Sequence, residues 1–171
     1  MKLKTMRAKR IIAVIVLLVV AFLLVFPPLM NGGVKVTLSS TASLHADHLY
    51  ITISEISAHR LDISGPSAWQ SISNKSTLVD LTVTNMSEVV ALGSLPLGQY
   101  EAIRVKVTNA TMITNGASRN LQLESSVISV SVPFLVQFGT NAVVMLKVAP
   151  EIQENASGAS LKLSFTAVPS S

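Results

Sequence analysis

The chain has 171 residues, no cysteine, and a formal charge of +4. That length suits one ordinary domain, and the missing thiols exclude disulfides, lipid attachment at a cysteine, thiolate metal sites and cysteine nucleophiles. Lys2, Lys4, Arg7, Lys9 and Arg10 carry the basic excess, while residues from 34 onward hold eight Lys+Arg against nine Asp+Glu. The body is thus near neutral, its cations are scattered singly, and a nucleic-acid-tracking face is excluded as an expectation.

Residues 1–10 form a basic tail, and residues 11–26 follow as an uninterrupted apolar run that "PPLM" extends to Met30. Twenty such residues span roughly 30 Å as helix, about the thickness of a bilayer core. Cations before the run and none immediately after it predict a transmembrane signal anchor over 11–30, with the tail cytoplasmic and the remainder outside the cell membrane. A cleaved signal peptide is the competing reading. The run is long for an h-region, however, and the nearest small-x-small site, Ser40 and Ala42, falls inside the first expected strand.

From Val34 the pattern turns to alternation, the mark of strands with one face on a core. Val34, Val36 and Leu38 begin it; Val79, Leu81 and Val83, then Ile103, Val105 and Val107, repeat it; the sets at 121–123, 144–148 and 161–165 complete it. Turn-forming clusters at 64, 73, 95, 114, 138 and 155 separate these runs. The expected fold is all-β: an antiparallel β-sandwich, immunoglobulin-like or prealbumin-like, over residues 34–168. Within "HLYITISEISAHRLD", Leu49, Ile51 and Ile53 hold one phase while Ile56 and Ala58 hold the other. A β-bulge at Ser54 and Glu55 reconciles them and turns Ser57 and His59 outward. A short helix is expected only in "MSEVVALG", with Ser87 as its cap. Pro133 cannot donate to a ladder, so its run bends there or lies at an edge that invites a neighbouring chain.

The segments "LYITISEISAHR", Trp69, "LVDLTV", "LPLGQYEAIRVKV" and "NATM" occur in an order that resembles the prokaryotic envelope domain-of-unknown-function family 4382. The resemblance covers about residues 34–148. It implies an extracellular β-sandwich held to a membrane by a lipid or a single helix, and no established activity or ligand. Family members tend to carry an acidic segment late in the domain, where this chain has Leu146, Lys147, Val148 and Ala149. The residues of "LP-G-Y" also have a physical reading: Pro96 sets φ, Gly98 allows positive φ, and the turn delivers Tyr100 into a strand.

Chemistry-bearing patterns are few. His45, Asp47 and His48 in "HADH" are all metal-ligand types, but an odd offset along an extended chain sends the histidines to opposite faces. They reach one ion only from a loop, and solvated loop histidines are the plainer reading. No nucleophile elbow, phosphate loop or aromatic-flanked carboxylate pair is present, so no catalysis and no cofactor is expected. Asn74, Asn85, Asn109 and Asn155 stand in glycosylation sequons, four where eight asparagines would give one or two by chance. Trp69 is expected to close the core beneath the "SGPSAW" turn rather than to form a sugar-binding platform. These readings converge on a membrane-anchored binding or structural module of the cell envelope, with an envelope protein or glycan as partner and its oligomeric state open. Two alternatives differ in class: a self-assembling surface filament or lattice subunit, and a metal-binding ectodomain using "HADH".

Overall fold

The computed structural model describes residues 14–22, 30–41, 46–83, 87–155 and 158–168. Residues 14–22, inside the apolar run, are helical, and among the described residues no helix is long and apolar enough to cross a membrane. Of the expected anchor, residues 11–13 and 23–29 lie outside the described residues.

Eleven strands follow among the described residues: β1 (Asn31–Ser40), β2 (His48–Arg60), β3 (Trp69–Ser73), β4 (Thr77–Asp80), β5 (Glu88–Pro96), β6 (Gly98–Thr114), β7 (Ala117–Asn120), β8 (Gln122–Leu123), β9 (Val127–Val136), β10 (Asn141–Asn155) and β11 (Gly158–Val168). One sheet has the order β5-β1-β10-β11-β8. The other runs β3-β2-β6-β7, with β4 also paired to β2 and β9 to β6. The alternating residues of both sheets meet in one core, including Val36, Leu38, Leu146 and Leu161 from the first and Leu49, Ile51, Ile103 and Val105 from the second. Where β5 crosses close to β3, a Cβ on Gly93 would lie 2.1 Å from the Ile72 carbonyl oxygen, so only glycine permits the approach.

Several expectations hold in detail. The register of β2 on β6 skips Ser54 between Ile53 and Glu55, and Ile53, Ile56 and Ala58 are all buried. The bulge therefore brings both apolar phases to the core face. Opposite Glu101 of β6, β9 spends two residues, Val132 and Pro133, in a second bulge, and among the described residues β9 has no partner strand on its far side. Pro133 thus bends an edge strand at a position where its missing N–H is tolerated. The β6–β7 hairpin turns through Asn115 and Gly116, both at positive φ, as a two-residue type I′ turn requires. Gly98 also has positive φ, 145°.

Three expectations are corrected. The five-stranded sheet is mixed: β1 pairs with β10 in parallel, Val36 beside Val144 and Leu38 beside Leu146, and β8 pairs with β11 in parallel, while the six-stranded sheet is antiparallel throughout. Alternation reports which face is buried and is silent on the direction of the neighbour. "EVVALG" is strand β5 rather than helix; a bulge between Val36 and Thr37 leaves Val90 as the extra residue, so adjacent Val90 and Ala91 are both buried. That doublet imitates helical spacing. Trp69 is not in the core: it opposes His59 on the outer face of the six-stranded sheet, and the buried residue of its turn is Ala68. Ser57 belongs to the same outer face yet is only 2% exposed, roofed by its neighbours.

Candidate functional site

The outer face of the six-stranded sheet carries the densest grouping of chemically able side chains. Pairing sets them in rows: Trp69, His59 and Ala102 in one, and Ser71, Ser57, Arg104 and Ser129 in the next. The Arg104 guanidinium carbon lies 3.6 Å from the Trp69 ring centre, a cation–π contact that holds both. His59 meets Trp69 edge-on, centroids 4.9 Å apart. Its Nδ1 is 2.9 Å from Glu101 Oε1 but off hydrogen-bonding geometry, so the contact is an ion pair only when the ring is protonated. Arg104 Nε is buried and unpaired among the described residues. A groove of about 170 Å³ beside it is lined by Glu55, Ser57, Arg104, Lys106 and Val127. No hydrogen bond among the described residues joins Ser57 to His59. The patch presents an aromatic face together with two cations, Arg104 and Lys106.

The "HADH" residues sit at the end of the domain where β2 begins. His48 Nδ1 and Asp80 Oδ2 are 2.7 Å apart, and the His48 ring stacks on Tyr50. Asp80 Oδ1 accepts from the Thr82 amide at 3.0 Å, the Thr82 hydroxyl at 2.7 Å and the Leu49 amide at 3.3 Å. Burial alone would raise the Asp80 pKa, but the bonds from His48, Thr82 and Leu49 together outweigh it and hold the carboxyl below its ordinary range. Asp47 Oδ2 accepts from the Gly116 amide, tying this loop to the β6–β7 turn. His45 lies outside the described residues, and among the described residues no three ligand-type side chains converge on an ion position. Asp80, the acid of "LVDLTV", is thus the hub of the region, and the sequence reading had not singled it out. Its signal was local: an aspartate two residues before a threonine at a strand end is an Asx-type turn.

At the opposite end the "LPLGQY" corner closes as the sequence suggested. Tyr100 is buried, donates its hydroxyl to the Pro96 carbonyl at 2.9 Å and stacks on Phe134, centroids 5.2 Å apart. Burial pushes its phenol pKa up, with Arg60 opposing and Asp62 adding to the rise. Arg60 and Asp62 form a bidentate pair at 2.6 and 2.9 Å. Of the sequon asparagines, Asn74 and Asn109 are exposed, Asn155 ends β10, and Asn85 lies outside the described residues.

The described residues thus form a two-sheet β-domain whose six-stranded sheet carries a polar, aromatic-centred outer face. The chain belongs to the family described as Domain of unknown function (DUF4382), whose pattern it matches over residues 31–166. No curated protein and no solved structure matches it.

Proposed function

We propose that this protein is a single-span, membrane-anchored module of the cell envelope whose β-domain, a sandwich of immunoglobulin-like or prealbumin-like type, lies outside the membrane and binds or braces a partner without catalysing a reaction. One observation carries the reading: five cations and then an apolar run of bilayer length stand directly ahead of a near-neutral β-domain that begins at Asn31. The partner, an envelope protein or a glycan, meets the Trp69, His59 and Arg104 face, where an aromatic ring and fixed cations are presented together. External protease added to intact cells tests the topology. Digestion of the domain with survival of the anchored stub is expected; a domain protected in whole, accessible cells contradicts the outward orientation. Cross-linking on those cells then identifies what meets the outer face.

A second reading has its own observation. The edge strand β9 is rich in apolar residues and offers a free row of backbone groups beyond its bulge, so a strand of a second copy fits against it. Association of the detergent-solubilised chain that rises with concentration and is lost in Leu135→Lys favours assembly; a monomer at every concentration removes it.

A further inference from the structure

The two ends of the β-domain differ in chemistry. At the end where β1 begins, Leu97 donates its amide to the Met30 carbonyl at 2.9 Å, Leu61 donates to the Gln99 carbonyl at 2.9 Å, and Leu135 pairs with Gln99. Gly32 presses so closely on the β9–β10 turn that a Cβ there would sit 2.4 Å from the Gln137 carbonyl oxygen, which fixes Phe138 beside the start of β1. These links gather Met30, Leu61, Leu135 and Phe138 at one end, 53%, 53%, 48% and 58% exposed. Beside Leu61 and Leu135 an open groove of about 480 Å³ is floored by Tyr100 and Phe134 and flanked by Pro133, with Glu101 as its one charged lining residue. In residues 61–68, 97 and 137–140 the only charged side chain is Asp62, and Arg60 neutralises it.

The far end is the reverse. Asp47, His48, Asp80 and Glu88 surround the start of β2 and β5, and Arg119, Glu124, Glu151, Glu154 and Lys162 crowd the β7, β8 and β10–β11 extremity. Large apolar side chains are exposed elsewhere too, Leu78, Val83, Val89 and Leu92 among them, but this apolar end gathers four around the point where the chain enters the domain. Such a gathering follows if that end faces an apolar surface.

We infer that the Met30, Leu61, Leu135 and Phe138 end of the domain docks on the lipid bilayer itself, with Phe138 and the leucines entering the headgroup–acyl boundary. The inference rests on the anchor reading above and goes beyond it: an anchor alone leaves the domain free to tumble on its tether, whereas this end holds it upright. The occupant is lipid because of where the chain enters. The apolar run of residues 11–30 leads directly into Met30 and Asn31, so a bilayer spanned by that run brings its surface to this end before any other partner can reach it. An aromatic side chain and leucines suit that boundary.

The chain has no cysteine, so single labels report cleanly. The full chain is reconstituted into vesicles of phosphatidylcholine and phosphatidylglycerol containing a nitroxide-labelled lipid, with an environment-sensitive fluorophore on Leu61→Cys, Phe138→Cys, Leu18→Cys or Ser118→Cys. All four positions are exposed, and Trp69 emission verifies that each variant is folded. Docking predicts blue-shifted emission and strong lipid quenching at 61 and 138, at least about half of that at 18, with little at 118. Quenching at 18 but not at 61 and 138 overturns the docking and leaves the anchor standing. Equal quenching at 61, 138 and 118 also overturns it, because the domain would then touch lipid without a preferred end. No quenching at 18 overturns the anchor, and the docking with it.

Discussion

Replacing Asp80 by alanine should destabilise the domain more than any other single change at its charge-rich end. The substitution removes the acceptor shared by the Thr82 amide, the Thr82 hydroxyl and the Leu49 amide, and it leaves His48 without its partner. The two amides become unsatisfied at a part-buried strand end, at about 1 kcal/mol or somewhat more each, and the half-exposed His48 pair adds about 0.5 kcal/mol. The expected loss is about 2–3 kcal/mol, a fall in midpoint of roughly 6–12 °C for a domain of this size. Asp80→Asn keeps an acceptor oxygen and should lose about half as much. Because the native carboxyl sits below its ordinary value of 3.8, its contribution is complete above that value and disappears as pH falls through the lower folded-state pKa. The gap between wild type and Asp80→Ala should therefore be widest near neutrality and narrow steadily below about pH 4. Denaturant melts of the detergent-solubilised chain, followed by the single tryptophan and by far-ultraviolet dichroism, measure both quantities. A variant within about 0.5 kcal/mol of wild type at neutral pH, or a gap that does not shrink in acid, would refute the account of Asp80 as a hub.

Tyr100→Phe deletes only the hydroxyl bond to Pro96 and should cost about 1–2 kcal/mol in the same melts, while Tyr100→Leu, which also loses the Phe134 stack, should cost visibly more. Gly93→Ala forces a methyl onto the Ile72 carbonyl and should cost about 2 kcal/mol or more, with no rescue by pH or salt. Arg104→Met should leave stability within about 1 kcal/mol but shift Trp69 emission, since the cation leaves the ring; unchanged emission would mean that the stack does not persist in solution. Zinc uptake measured by calorimetry should be the same for wild type and for the His45→Ala, His48→Ala double variant, because His48 Nδ1 is already committed to Asp80; uptake lost in the double variant would establish a site at "HADH".

What could be read from sequence was whatever one strand decides by itself. Burial of alternate residues, the phase slip at Ser54, the bend at Pro133 and the turns at Gly98 and Asn115–Gly116 all follow from local periodicity or from a single residue's backbone limits. The misreadings share a different origin. Whether β1 lies parallel or antiparallel to β10 depends on a partner more than 100 positions away, and Val36 looks the same in either case. The helix expected in "MSEVVALG" rested on Ser87 and the following apolar residues, while the bulge that makes the segment a strand is set by β1. Trp69 reaches the outer face through its pairing with His59, a register set by the intervening 61–68 segment rather than by its own neighbours. The outer-face patch was invisible for the same reason: Trp69, His59 and Arg104 come from three strands and share no motif. Asp80 stood within a recognised segment, yet its meaning lies in Leu49 and His48 of the adjacent strand.

The parallel pairing of β1 with β10 has a consequence for how the chain is made. β1 is the first strand to emerge behind the apolar run, and one of its edges is satisfied only when Asn141–Val148 arrive. β5 can cover the other edge earlier, but until more than 100 further residues have followed, Val34, Val36 and Leu38 form half of an unfinished sheet. Loop closure over that distance is slower than over the 65 residues or fewer that separate partners in the six-stranded sheet, which favours completion of that sheet first. A chain cut short before residue 141 would leave an open β1 edge, a feature prone to capture by another copy or by a chaperone.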